Sequence, residues 1–94
     1  MAITPDITGN PFLVTGTTNT NDKITDGRVF IKYVYWYNPT TVGHLVHLVD
    51  KSRKEILKLR CEAANESQPF ALWTAWDGIY CDDMDSGELK IYVS

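Results

Sequence analysis

The run "RVFIKYVYWYN", residues 28 to 38, limits the fold more than any other part of the chain. Val, Ile, Tyr, Trp and Phe follow one another almost without a break, and these side chains fit a pleated sheet better than a helix. At period two, Val29, Ile31, Tyr33, Tyr35 and Tyr37 share one side, while Phe30, Val34 and Trp36 share the other with Lys32. Both sides are bulky, so the strand is expected to be central and at least partly covered on each face. "NPTTVG" ends it, because Pro39 cannot donate to a ladder and Gly43 permits a turn.

Further strands follow. "HLVHLVD" and "EILKLRCEA" flank "KSRK", which reads as a charged hairpin tip near Asp50. That tip lacks an Asn-Gly or Asp-Gly pair, which points to a longer connection. Leu57, Leu59 and Cys61 are expected on one side, with Ile56, Lys58 and Arg60 on the other. The same residues are good helix formers, so a helix is the competing assignment. "ANESQ" is turn-like, and "PFALWTAW" leads to Asp77-Gly78, a tight-turn signal expected to separate it from "IYC". "ELKIYV" puts Leu89, Ile91 and Val93 inward and Glu88, Lys90 and Tyr92 outward. About seven short strands with turn residues between them describe an all-β fold, a small antiparallel β-sandwich or jelly-roll-like barrel.

Residues 1–27 differ. "TGTTNTNDKITDG" offers almost nothing to bury, and Phe12, Leu13 and Val14 form one compact apolar cluster before it. The segment reads as an extended N-terminal arm or loop, with residues 28–94 as the β-sandwich domain; a first strand and long loop of the same domain is the other reading.

Ninety-four residues, 44% hydrophobic and 22% charged, suit one globular domain that leans on partner subunits for part of its stability. The net charge is −3 and the nine cations are scattered, which argues against a nucleic-acid surface. No apolar run approaches the ~20 residues that cross a bilayer, and "MAITPDITGN" lacks a signal-peptide pattern, so cytosolic folding is expected. In that compartment Cys61 and Cys81 are expected as two buried thiols instead of a disulfide.

"CDDMDSGE", residues 81 to 88, gathers four carboxylates around one Gly. A calcium loop needs oxygen ligands at positions one, three and five before the Gly and a Glu at twelve. With Gly87 in the Gly place these fall on Asp82, Met84, Ser86 and Val93, and the pattern fails. Apolar strands on both sides make the stretch a hairpin connection, in which Asp and Ser bond their own backbone and Gly87 supplies the left-handed residue. Carboxylates on such a turn are solvated, unlike a glycosidase pair. His44 and His47 are three apart, which on a strand sends them to opposite faces. No catalytic group, metal site or cofactor is assigned, and the chain is expected not to be an enzyme.

Three Trp, five Tyr and three Phe exceed what a small core holds easily, and Tyr and Trp favour interfaces. Trp36 is assigned to the core. Phe12, Leu13, Val14, Trp73, Trp76, Tyr80 and Tyr92 are the candidate contact residues.

The succession "VYWYNPTTVGHLVHLVDK", "EILKLRCEA", "PFALW", "WDGIYCDDMDSGELKIYV" resembles the small accessory virion proteins of tailed bacteriophages, in size, strand patterning and turn chemistry. The likeness covers roughly the last two-thirds of the chain. It implies a structural protein of the capsid decoration or cement type, made in the host bacterial cytoplasm and placed on the outer surface of the virion. Such a protein binds the major capsid protein or other virion proteins and associates as a homo-oligomer, a dimer or trimer. The alternative is a carbohydrate-binding or receptor-binding β-sandwich module with Trp73, Trp76 and Tyr80 as its stacking platform.

Overall fold

A computed structural model describes residues 3–94 as seven antiparallel strands: β1 Thr4–Asp6, β2 Phe12–Thr15, β3 Asp22–Tyr37, β4 Leu45–Val49, β5 Glu55–Arg60, β6 Gln68–Met84 and β7 Glu88–Val93. There is no helix among the described residues, and "EILKLR" is strand, paired with β4 through Leu57↔Leu48 and Leu59↔Val46. The tertiary pairing overrides helix propensity there, because only a strand turns Leu57 and Leu59 onto the face already occupied by Leu48 and Val46. All seven strands belong to one sheet, in the order β1-β2-β7-β3-β6-β4-β5.

Two strands are long, not short. β3 has 16 residues and β6 has 17, and they pair from Asp22↔Cys81 to Trp36↔Gln68. Asp77-Gly78 therefore does not reverse the chain as the dipeptide suggests; it lies inside β6. Gly78 does adopt positive φ, 87°, but at an irregularity in the ladder where Thr25 is opposite Ile79 and Arg28 is opposite Asp77. A Cβ at Gly78 would stand 3.1 Å from the Thr25 carbonyl oxygen, so the close crossing of the two backbones needs a glycine.

A second irregularity corrects the expected facing of β3. Ile31 pairs with Val93 and Tyr33 with Tyr92, so Lys32 is an extra residue relative to β7. Such a bulge shifts the alternation by one. Ile31 consequently joins Val34 and Trp36 on the buried face, while Tyr33 and Tyr37 are exposed on the other. Ile56 likewise is buried beside Leu57, next to a register shift between Leu48 and Val49.

The bulges let one sheet coil round a single core. Val14 of β2 and Leu57 of β5 have four strands between them in the sheet yet belong to one buried cluster with Ile31, Val34, Trp36, Leu48, Ile79, Met84 and Ile91. Strands spaced at about 4.8 Å would hold them more than 20 Å apart if the sheet were flat. Trp36 is fully buried, as assigned, and its Nε1 donates to the Ser86 carbonyl at 2.9 Å. Cys61 and Cys81 are free and buried.

Of the two readings of residues 1–27, the described part is strand and loop of the same sheet. β1 pairs with β2 and β2 with β7, and the Asn10 side chain clamps Val93 by donating to its carbonyl and accepting from its amide. Beyond them, Thr18 exchanges backbone hydrogen bonds with Met84 in both directions.

Candidate functional site

The acidic stretch is a turn that ties down a neighbouring loop. Asp82, Asp83 and Met84 finish β6, and only residues 85–87 make the connection to β7. Asp85 Oδ2 accepts from the Leu45 amide at 2.9 Å, and Ser86 Oγ accepts from the Thr40 amide at 3.0 Å. His44 Nδ1 is 2.8 Å from the same Ser86 hydroxyl. Gly87, at φ 80°, passes so close to Tyr37 that a Cβ would stand 2.8 Å from its carbonyl oxygen.

His47 takes a different neighbourhood from His44. Its Nδ1 is 3.4 Å from Asp82 Oδ2 and its Nε2 is 3.3 Å from Glu55 Oε1, while Arg53 reaches Asp82 at 3.2 Å. Burial, then the hydrogen bond and charge of Asp85, then the charge of Asp82, raise the Asp83 carboxyl to about 6, against a lowering by His47. No three His, Cys, Asp or Glu side chains converge to hold a metal ion among the described residues. Two shallow concavities flank this region, one of about 230 Å³ bordered by Thr17, Thr18, Asn19, Met84 and Asp85, the other of about 320 Å³ bordered by Tyr37, Asn38, Thr40, Gly87 and Glu88. Each contains a single carboxylate, so neither supplies an acid and base pair across a substrate.

The other feature lies on β6. Its C-terminal end is an interior strand, paired with β4 from Val46↔Met84 to Val49↔Tyr80, and Lys51 donates to the Asp77 carbonyl at 2.9 Å. Before Asp77 the β4 side is empty. Residues 68–76, "QPFALWTAW", pair with β3 on one edge, and no strand pairs with their other edge among the described residues. An open edge is normally guarded by charge, brevity or a bulge. The outermost strands obey this: β1 has three residues, and β5 exposes Glu55, Lys58 and Arg60. Residues 68–76 contain no charge at all, and their guards are Pro69 and a bulge in which Leu72 and Trp73 oppose Lys32 alone.

Among the described residues Trp73 is the most exposed large hydrophobic side chain, at 61%, and it holds a left-handed backbone with φ 54°. Phe70 is 38% exposed beside it. Phe70 is opposite Val34 and Trp76 is opposite Val29, which places both on the inner face; Trp76 packs against the core. Ala71 and Ala75 are opposite Tyr33 and Phe30 on the outer face.

The outer face carries a row of rings. Tyr33 stacks on Tyr92 with centroids 4.4 Å apart, Tyr35 leans on Tyr37, and Lys90 Nζ sits 5.0 Å from the Tyr37 centroid. Leu13 is exposed next to Lys90, whereas its neighbours Phe12 and Val14 pack into the core. Tyr80 is half-buried between Lys23 of β3 and Val49 of β4. Trp73, Trp76 and Tyr80 are thus not brought onto one flat platform: Trp76 turns inward, and Tyr80 lies beyond the Gly78 bulge. Phe30, Tyr33 and Phe70 are exposed residues that strand patterning alone did not single out. For Phe70 the signal was the absence of charge in "PFALWTAW", which acquires meaning only once the pairing partners of that segment are known.

The chain was compared with protein-family models, curated proteins and solved structures. None matches.

Proposed function

We propose that the protein is a non-enzymatic structural component that works by surface association, of the kind represented by capsid decoration and cement proteins on the outside of a tailed-phage head. The observation that supports this reading best is the uncharged open edge at residues 68–76 of β6, with Phe70 and Trp73 exposed along it. Exposed aromatic side chains in a neutral setting are what the centre of a protein interface is made of. The Asp85 and Ser86 side chains, by contrast, are taken up in bonds to the Leu45 and Thr40 amides of the neighbouring loop. The expected partners are the major capsid protein or other virion proteins, and further copies of this chain.

Co-sedimentation with purified phage heads tests the proposal. The protein is expected to pellet with heads and to raise the temperature at which they release their contents, and Trp73→Asn is expected to weaken both effects. Failure to associate with any head preparation removes the virion setting. The row of Tyr33, Tyr92, Tyr35 and Tyr37 favours a second reading, in which sugar rings stack on the outer face. It predicts that soluble glycans quench the intrinsic fluorescence and that Tyr33→Ala abolishes the quenching.

A further inference from the structure

We propose that the open edge of β6 pairs with the same edge of a second copy, antiparallel about a two-fold axis at Trp73, joining two seven-stranded sheets into one. The inference rests on the reading of the chain as an assembling protein and gives that reading its partner.

Self-pairing about a two-fold axis imposes a condition that few strands meet, because the residue k positions before the axis must face the residue k positions after it. "FALWTAW", residues 70 to 76, meets it. With Trp73 on the axis, Phe70 faces the partner's Trp76, Ala71 faces the partner's Ala75, and Leu72 faces the partner's Thr74; the bulge that guards this edge against other strands falls on the axis in both copies, so it meets its own counterpart and shifts neither register. Aromatic meets aromatic and small meets small. The faces agree as well. Phe70 and Trp76 both lie on the inner face, opposite Val34 and Val29, and Ala71 and Ala75 both lie on the outer face, opposite Tyr33 and Phe30. A two-fold axis perpendicular to the sheet keeps inner with inner and outer with outer, so the core faces of both copies remain continuous.

Charge selects the same occupant. A surface that meets its own copy brings every charge toward an identical one, and a chain of net charge −3 has few places where this costs nothing. Residues 68–76 are such a place, and the charged residues at its limit, Arg28 and Asp77, already neutralise one another at 2.8 Å. The area is adequate for a moderate dimer. Trp73, Phe70, Phe30 and Tyr33 expose roughly 400 Å² between them, taking ~150–250 Å² for each whole side chain. That is about half of the ~800 Å² per partner of a standard interface, and the edge backbone with Pro69, Ala71 and Thr74 adds to it. Ala71 and Ala75 leave the outer face low beside Tyr33 and Phe30, which gives the partner's Trp73 somewhere to lie. Pro69 ends the pairing at one limit and the Lys51 bond to Asp77 at the other, so a closed pair forms and growth stops.

Sedimentation equilibrium of the full chain tests this, with a crosslinking variant to locate the axis. The wild type is expected to be a dimer dissociating in the micromolar range. Ala71→Lys and Thr74→Lys are each expected to weaken it at least tenfold with unchanged far-ultraviolet circular dichroism, while Leu13→Lys, remote on β2, leaves it unchanged. Trp73→Cys is expected to form a disulfide with its own copy under mild oxidation, since directly opposed residues at an antiparallel seam lie about 4.5–5.5 Å apart. Phe30→Cys should not. A monomeric wild type at about 100 µM, where even a weak dimer of Kd ~10 µM would be mostly formed, overturns the pairing. So does a trimer, or a dimer that Thr74→Lys spares and Leu13→Lys breaks. A monomer that still pellets with phage heads overturns the pairing alone; a dimer that binds no head leaves the pairing standing and removes the virion setting.

Discussion

Trp73 combines high exposure with a backbone conformation, φ 54°, that crowds any Cβ against the following carbonyl. That crowding costs about 1–2 kcal/mol relative to glycine. Trp73→Gly is therefore expected to stabilise the monomer by about 1 kcal/mol in urea unfolding at low protein concentration, although it deletes the largest exposed side chain. An unchanged or lower midpoint would mean that the indole earns its position through contacts within its own chain. Asp83 sets a different residue-level expectation. Its carboxyl, raised to about 6 by burial and by Asp85 and Asp82, holds a proton in the folded chain over a range where the unfolded chain, with the ordinary value of 3.8, has released it. The stability it contributes is complete below pH 3.8 and is lost as pH rises through about 6. Asp83→Asn abolishes that dependence. The difference in unfolding midpoint in favour of Asp83→Asn should thus grow between those two values and stay flat above them. Asp6 and Asp22, lowered by hydrogen bonds from Thr8 and from Thr18 and Thr20 respectively, act with the opposite sign at more acidic pH and are common to both proteins.

At the scale of elements, the turns were more legible than the lengths of the strands. Asp50, Gly87 and the polar "DSG" announced their roles through local chemistry. Asp50 Oδ1 accepts from the Ser52 and Lys54 amides, each at 2.8 Å, and Arg53 takes the left-handed position, φ 64°, that the missing Asn-Gly pair would have filled. Gly87→Ala should cost about 1–3 kcal/mol, from positive φ and from the 2.8 Å and 2.9 Å approaches of the Tyr37 carbonyl and the Trp36 indole nitrogen. Thermal unfolding reads this directly, and a loss much below that range would mean the turn relaxes. The inward alternation of β7 was readable, because its register with β3 from Val34 to Tyr37 has no slip. The facing of Ile31 was not, because a bulge at Lys32 depends on where Val93 and Tyr92 fall across the sheet. Asp77-Gly78 misled for a related reason. A glycine with positive φ marks a sharp feature, but whether the chain reverses there or only kinks depends on a partner strand fifty residues away. The candidate site was legible to the same extent: Trp73 stood out as an aromatic near a presumed turn, while the open edge it occupies is a property of the strand order.

For the whole molecule, one core closes one sheet, and the two thiols lie within it. Cys81, pushed up to about 12 by burial and then by the charge of Asp83, with smaller contributions from Asp22 and Asp82, has almost no thiolate at neutral pH. Cys61 is equally buried, with its Sγ 3.3 Å from the Ala63 carbonyl it donates to. Both thiols should react with an aromatic disulfide reagent in a single phase whose rate rises with urea as global unfolding does. A thiol that reacts early in the absence of urea would reveal a local opening that separates part of the sheet from the rest. β6 makes such a separation costly, since its open half and its interior half are one unbroken backbone flanked by β3 along nearly its whole length and by β4 at its end. Tension applied at Trp73 along the strand runs lengthwise into those ladders and strains their bonds together, in shear, where peeling would break them one at a time. A load carried at the proposed seam would meet the fold in its mechanically stronger direction.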